Sequence, residues 1–370
     1  MHSFSSDTVK EVIPAGGSEG LSSAASVTVS RLLDSAHEAL SSGQVEGGME
    51  ALMGGLSALR KRCGPEQWDE LVQTHALCHP VSRLIWQDPF TEHSFRKPRG
   101  YPGDAVLLDY IYGDAPLPPR TSDLGAAIFR FNRDRQAPRS VRWRRRILTQ
   151  MIDQSAARVR SPKILSIACG HLREATDSSA LAAGGIGEFI ALDQDLASLR
   201  QVQSLFGERG VKTVHGSVRS ILAQKLSLGT FDLIYAAGLY DYLADRVAAR
   251  LTTCLFDMLA AGGQLLIANF APRLNDIGYI ESFMAWKLIY RDPIQLAALC
   301  ADIDSSRWSS QRLFWDGHES IVFLELTKQR RMNGSLTLAE GLKSVAVPTA
   351  SFTIAPALAR GCRLGGDVPR

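Results

Sequence analysis

The chain has 370 residues, 45% hydrophobic and 21% charged, an ordinary globular composition. That excludes general disorder, a collagen repeat and a coiled-coil rod. Lys plus Arg number 41 against 38 Asp plus Glu, a net charge of +3, which argues against a polycation built to coat nucleic acid. At roughly 150 residues per domain, two or three units are expected. The six cysteines form no C-x-x-C pair, so neither a zinc site nor a disulfide framework is indicated. Reduced thiols and the want of a signal-peptide h-region point to the cytoplasm. The most apolar stretch, 255–271, carries Asp257 and Gly262-Gly263. It reads as helix, turn and buried strand, not as a membrane span.

In chain order, residues 1–25 are rich in Ser, Gly and Ala and read as a tail. Residues 26–86 show helical spacing (Leu32, Leu33, His37, Leu40; then Met49, Leu52, Met53, Leu56, Leu59), which opens a helical N-terminal domain over 26–150. Within it, 87–125 alternates prolines with Phe90, Phe95, Tyr101, Tyr110 and Tyr112. This predicts ordered irregular structure that covers a cofactor or substrate. Residues 130–146 hold eight arginines against Asp134 alone, a local +7 that leaves −4 for the rest. The segment reads either as a solvated helix face or as a dock for an anionic partner such as an acyl carrier protein. It lacks the interleaved aromatics of an RNA-stacking platform.

From about 160 to 328 apolar runs of strand length alternate with helical stretches: 163–168, 188–192, 212–215, 231–236 and 264–270. Asp316-Gly317 then joins 311–315 to 320–328 as a hairpin. The expected fold class is α/β: a doubly wound, mostly parallel seven-stranded sheet ending in an antiparallel hairpin. Residues 329–370 show little periodicity and read as a C-terminal tail.

The first strand runs into Ala168-Cys169-Gly170-His171. One glycine in that turn is too few for a pyrophosphate, so an adenosine ligand without phosphates is the better expectation. The second strand ends in Leu192-Asp193-Gln194-Asp195. A carboxylate at such a tip accepts from ribose hydroxyls. Asp195 suits the cap of the next helix and Asp193 the ribose, although either could serve as a cap. Ser217 after the third strand suits an adenine edge or a helix cap. Gly238-Leu239-Tyr240-Asp241-Tyr242 after the fourth allows close backbone approach, with Tyr240 over the sheet edge or in the core.

These pieces, with 97–105 (KPRGYPGDA) and 284–291 (MAWKLIYR), resemble a class I S-adenosylmethionine-dependent methyltransferase. More narrowly, they resemble the bacterial 3-hydroxypalmitate methyl ester biosynthesis subgroup, over roughly 86–328. The resemblance implies S-adenosyl-L-methionine as cofactor, held by Tyr101, Gly103, Asp104, Cys169, Gly170, Glu174, Asp193, Gln194, Ser217, Val218 and Gly238. Ser166 and His171 depart from the pattern, so Glu174 or Asp104 would hold the methionine ammonium group. Asp241, Tyr240 and His171 are the catalytic candidates, with His318 a further base or a solvated hairpin residue. Trp286, Tyr290 and Arg291 are read as one helical stretch, either bordering the acceptor or simply packing on the sheet. The implied activity is carboxyl O-methylation of a hydroxy fatty acid, as in quorum-sensing signal synthesis. The alternatives are N- or O-methylation of another secondary metabolite, or a cofactor-binding regulator. A small, possibly acyl, substrate and no metal are expected.

Overall fold

The computed structural model describes residues 23–330; residues 1–22 and 331–370, most of the two expected tails, lie outside the described residues. Seven strands form one sheet: β1 (Lys163–Ile167), β2 (Glu188–Asp193), β3 (Val211–His215), β4 (Phe231–Ala236), β5 (Leu259–Phe270), β6 (Trp308–Trp315) and β7 (Ile321–Lys328). Their order is β3-β2-β1-β4-β5-β7-β6. The first five are parallel, and β7 pairs antiparallel with both β5 and β6. The expected doubly wound sheet with a closing antiparallel hairpin is what the structure contains.

The inner strands are apolar on both faces because both faces are covered. Ile164, Leu233 and Leu266 point into one core, with Met53, Phe90 and Val141 of the N-terminal helices. Their neighbours Leu165, Ile234, Leu265 and Ile267 point into the other, under helix Asp245–Asp257. The N-terminal helices therefore share one continuous core with the sheet.

Two local expectations differ from the structure. About half of the Pro- and aromatic-rich segment is helical, in Pro89–Arg96, Ala105–Tyr112 and the start of Asp123–Arg133. Pro89 occupies the first helical turn, where its missing N–H costs nothing. Asp88 caps that helix by accepting from Phe90 and Thr91 amides at 3.0 and 3.3 Å, and Asp104 caps the next by accepting from Leu107 at 2.9 Å. Pro89 looks like a breaker and is a starter, whereas Pro98, Pro102, Pro116, Pro118 and Pro119 lie between helices. Conversely, Trp286 to Arg291 is not helical: the preceding helix ends at Phe283, and Ala285 takes φ +47°. The four-residue spacing of Trp286 and Tyr290 imitates a helix face, but both belong to an extended connection that crosses the sheet edge.

Candidate functional site

The strand order reverses beside β1, whose neighbours are β2 and β4. Crevices in open α/β sheets form at such a point, outside the carboxyl ends of the strands. The turn after β1 is tightly wound, with Ala168, Gly170 and Leu172 all at φ +52 to +53°. Gly170 fits because the start of helix Ala105–Tyr112 crosses it: a Cβ there would lie 3.3 Å from Ala105 Cβ. Asp193, 5% exposed, ties the crevice together. One carboxylate oxygen accepts from Gly170 N–H and the other from Asp195 N–H, each at 2.8 Å. Burial pushes its pKa above the usual carboxylate range, and the nearby Asp195 charge adds to that.

The stretch 97–104 straps across this crevice. Arg99 donates to Asp195 at 2.7 Å and to Ser198 at 3.0 Å. It also lies 3.4 Å from His171 Nε2. Because a guanidinium only donates, Nε2 is the acceptor and Nδ1–H donates to Asp109 at 2.8 Å. Arg173 grips the same carboxylate twice, at 2.7 and 2.6 Å. Burial raises the Asp109 pKa, but the bonds from Arg173 and His171 outweigh it and hold it below the ordinary range. Tyr101 lies among Asp193, Asp195 and Asp104; burial first, then those charges, push its hydroxyl pKa up. At Gly103 a Cβ would collide with the Trp286 ring and the Tyr242 hydroxyl, which are joined by a 2.8 Å bond from Trp286 Nε1.

The fourth-strand loop supplies the opposite wall. Gly238 is exposed, and Arg144 donates to Ala237 O at 2.6 Å. Glu174, 7% exposed, accepts from Tyr235 hydroxyl at 2.7 Å; burial raises its pKa. Burial also raises the Cys169 thiol pKa, with Asp193 and Glu174 contributing. Asp241, 3% exposed, accepts from Phe270 N–H at 2.7 Å, and burial pushes it up to about 6. Gln194 is exposed, with its carbonyl 3.2 Å from His215 Nε2. Ser217 caps helix Val218–Leu222, donating its N–H to Ser220 Oγ at 2.8 Å and accepting from Ser220 N–H at 3.3 Å. Val218 opens that helix.

Several expected roles do not survive the geometry. Tyr240 is fully buried, its hydroxyl 3.1 Å from that of Thr252, so it packs in the core and reaches no crevice. Arg291, 1% exposed, donates to Asp245 (3.0 and 2.7 Å), Tyr240 O (2.8 Å), Asn269 Oδ1 (2.7 Å) and Leu243 O (2.5 Å). No donor remains for a substrate carboxylate. Asp104 is fully buried, both oxygens within 2.9 Å of His93 Nε2, which leaves it a positioning role for the strap. Tyr290 keeps a buried hydroxyl without a partner. His318 sits in the hairpin loop, edge-on to Trp143.

The arginine cluster is mostly consumed internally. Arg133 and Arg142 bond backbone carbonyls, Arg135 pairs with Glu50, and Arg145 with Asp114 and Asp177. Arg144 is 5% exposed. Only Arg130, Arg139 and Arg146 are exposed, so the basis for an acyl-carrier dock falls away. Arg144 is the site residue that the charge count hides. The signal was periodicity: it sits on the buried stripe Val141, Leu148, Met151, Ile152 of helix Gln136–Arg158. Arg99 and Asp109 likewise emerge only in three dimensions.

No family model and no curated protein matches the chain. Among solved structures, it is similar to a possible exported protein from Bordetella parapertussis at 14% identity and TM-score 0.52, covering 82% of this chain and 97% of that one. It is also similar to magnesium protoporphyrin IX methyltransferase from Synechocystis with S-adenosylmethionine bound (12% identity, TM-score 0.41, 64% and 97% covered). A third is the N-methyltransferase NodS from Bradyrhizobium japonicum (14% identity, TM-score 0.37, 51% and 97% covered). The first likeness establishes a shared fold. Among the described residues, no helix is long and apolar enough to cross a membrane.

Proposed function

We propose that the chain is an S-adenosylmethionine-dependent methyltransferase of a small molecule, with carboxyl O-methylation of a hydroxy fatty acid as the favoured reaction. The observation that carries this reading is Asp193. It is a carboxylate at the tip of β2, locked to the Gly170 turn, beneath Tyr101 and at the reversal point of the sheet. Each of its oxygens uses one lone pair on a backbone amide and keeps another for a ribose hydroxyl. The single-glycine turn leaves the close approach that an adenosine needs and offers no cradle for a pyrophosphate. Glu174, whose carboxylate accepts from the Tyr235 hydroxyl and lies near Cys169, suits an ammonium group.

When bound, the cofactor supplies an electrophilic methyl group. The chain's own work is to hold donor and acceptor at attack distance and to keep water out. Tyr101, Gly103, Tyr242 and Trp286 close the crevice from above. Arg99 and the Asp109–His171 pair fix the strap in that position. A carboxylate acceptor is ionised at pH 7, so no side chain needs to remove a proton. Asp241, enclosed and held by Phe270, then serves to join the ends of β4 and β5. The fatty substrate is supported by the apolar lining that Trp286 shares with Phe270 and Met284.

Calorimetry with S-adenosylmethionine tests the first half: binding is expected, and its absence removes the proposal. Methyl-labelled cofactor with a metabolite extract tests the second. A label released by mild base identifies an ester, and a base-stable label overturns carboxyl methylation.

A further inference from the structure

A polar cleft of about 670 Å³, open to solvent, lies between helix Val45–Arg62 and the start of helix Gln136–Arg158. That volume is in the range of small-molecule sites. The turn after β5 supplies Asn275 and Asp276 to its wall, and the β6–β7 hairpin supplies His318. None of the residues assigned to the cofactor lines it. Gly54 and Ala58, one turn apart on helix Val45–Arg62, keep that wall low. A Cβ at Gly54 would meet nothing within 4 Å.

Three acids and three bases line the cleft, yet its charges do not cancel. Every acid is already matched. Glu50 accepts from Arg135 at 2.6 Å, and Asp134 lies 3.6 Å from Arg142. Asp276 accepts from Ala137 N–H at 3.0 Å, and burial raises its pKa. Arg135 is taken up by Glu50 and by the Phe131 ring, whose centre is 3.9 Å from the guanidinium carbon. The side chains of Lys61 and Arg139 are exposed and have no hydrogen-bond or ion-pair partner among the described residues. Arg139 also meets like charge. Burial first, and then the charges of Arg133, Arg139 and Arg146, lower the Arg142 pKa. The side-chain amide of Asn275 and the ring nitrogens of His318 accept and donate nothing among the described residues.

We propose that this cleft binds a small organic dianion, a phosphomonoester or a dicarboxylate, with Lys61 and Arg139 on its charges and the Asn275 amide donating beside them. The Arg139 fork pairs with two oxygens of one carboxylate or phosphate, and Lys61 supplies a point charge from the other helix. His318 and Arg139, which the crevice leaves unused, line the same space. The site stands whether or not the chain transfers methyl groups.

Calorimetry or ligand-observed NMR on the full chain at low salt tests this with glycerol 3-phosphate, succinate and, as the uncharged control, glycerol. At least one of the two dianions is expected to bind with a dissociation constant of about 1 mM or below, and glycerol is not. Lys61→Met and Arg139→Met should each weaken binding about tenfold. Arg130→Met and Arg146→Met, exposed but outside the cleft, should leave it unchanged. Gly54→Leu keeps both cations and fills the cleft, so it should abolish binding while circular dichroism shows the parent fold. A preference for either dianion names the charged group that the cleft takes. Binding that survives Gly54→Leu, or that falls as much with Arg130→Met as with Arg139→Met, is diffuse surface attraction and overturns the site. Failure of both dianions to bind overturns it as well.

Discussion

Asp193→Ala is the sharpest perturbation of the crevice. The substitution deletes both 2.8 Å bonds that join the β1 turn to the start of the helix after β2. It also deletes whatever the carboxylate accepts from a ligand. Both amides belong to half-buried residues, so water replaces part of the first loss. Burial strain on the carboxylate, visible in its raised pKa, offsets more. The stability cost should therefore be about 1–2 kcal/mol, below the roughly 3–6 kcal/mol of two uncompensated bonds to a charged acceptor. The ligand loses at least one charge-assisted bond from ribose, roughly 1.5–3 kcal/mol, or about 10- to 150-fold in affinity. Urea unfolding measures the first quantity and calorimetry with S-adenosylmethionine the second, at a temperature where both proteins are folded. Asp195→Ala is the control, because it loses the helix cap and the Arg99 bond but no ribose contact. An Asp193→Ala affinity within twofold of the parent refutes the ribose assignment. A larger loss from Asp195→Ala would move the contact to the strap.

Arg144→Met removes a buried donor to Ala237 O and a cation close to Glu174 and Asp241; denaturant unfolding should show a loss of about 2–4 kcal/mol. Arg146→Met, on the exposed side, should change stability by less than about 0.5 kcal/mol, and equal effects would restore a plain solvated helix face. Burial raises Asp241 from 3.8 to about 6, so the folded state keeps a proton that the unfolded chain releases. Its contribution is full below about pH 4 and is lost as pH rises through about 6. Asp241→Asn should gain on the parent by roughly 3 kcal/mol between pH 4 and pH 8, and a pH-independent difference would refute the assigned burial.

The sheet was legible because its strands are buried on both faces and announce themselves as unbroken apolar runs. The tight turn at Gly170 and the place of Asp193 at the end of β2 were legible because the strands of a parallel sheet end in such turns. What escaped has physical reasons. Helices that begin at a proline are marked by Asp88-Pro89, which in isolation reads as a break. Trp286 and Tyr290 carry helical spacing in a segment whose backbone hydrogen bonds go elsewhere, as in Ile289 N–H to Asp241 O at 2.8 Å. The fate of the arginines depends on partners such as Glu50 and Ala237, 85 and 93 residues away from theirs. Local sequence carries no trace of those pairings.

The place of β7 has a consequence for biosynthesis. It is the last strand among the described residues, yet it lies between β5 and β6 and covers β5 from Gln264 to Phe270. Until Ile321–Lys328 leaves the ribosome, β5 presents an unpaired edge of seven residues, five of them apolar, to any neighbour. Chains that stop short of Ile321 would keep every residue of the crevice and still expose an adhesive strand. Synthesis of this protein is thus vulnerable to self-association just before β7 emerges, after the site has been made.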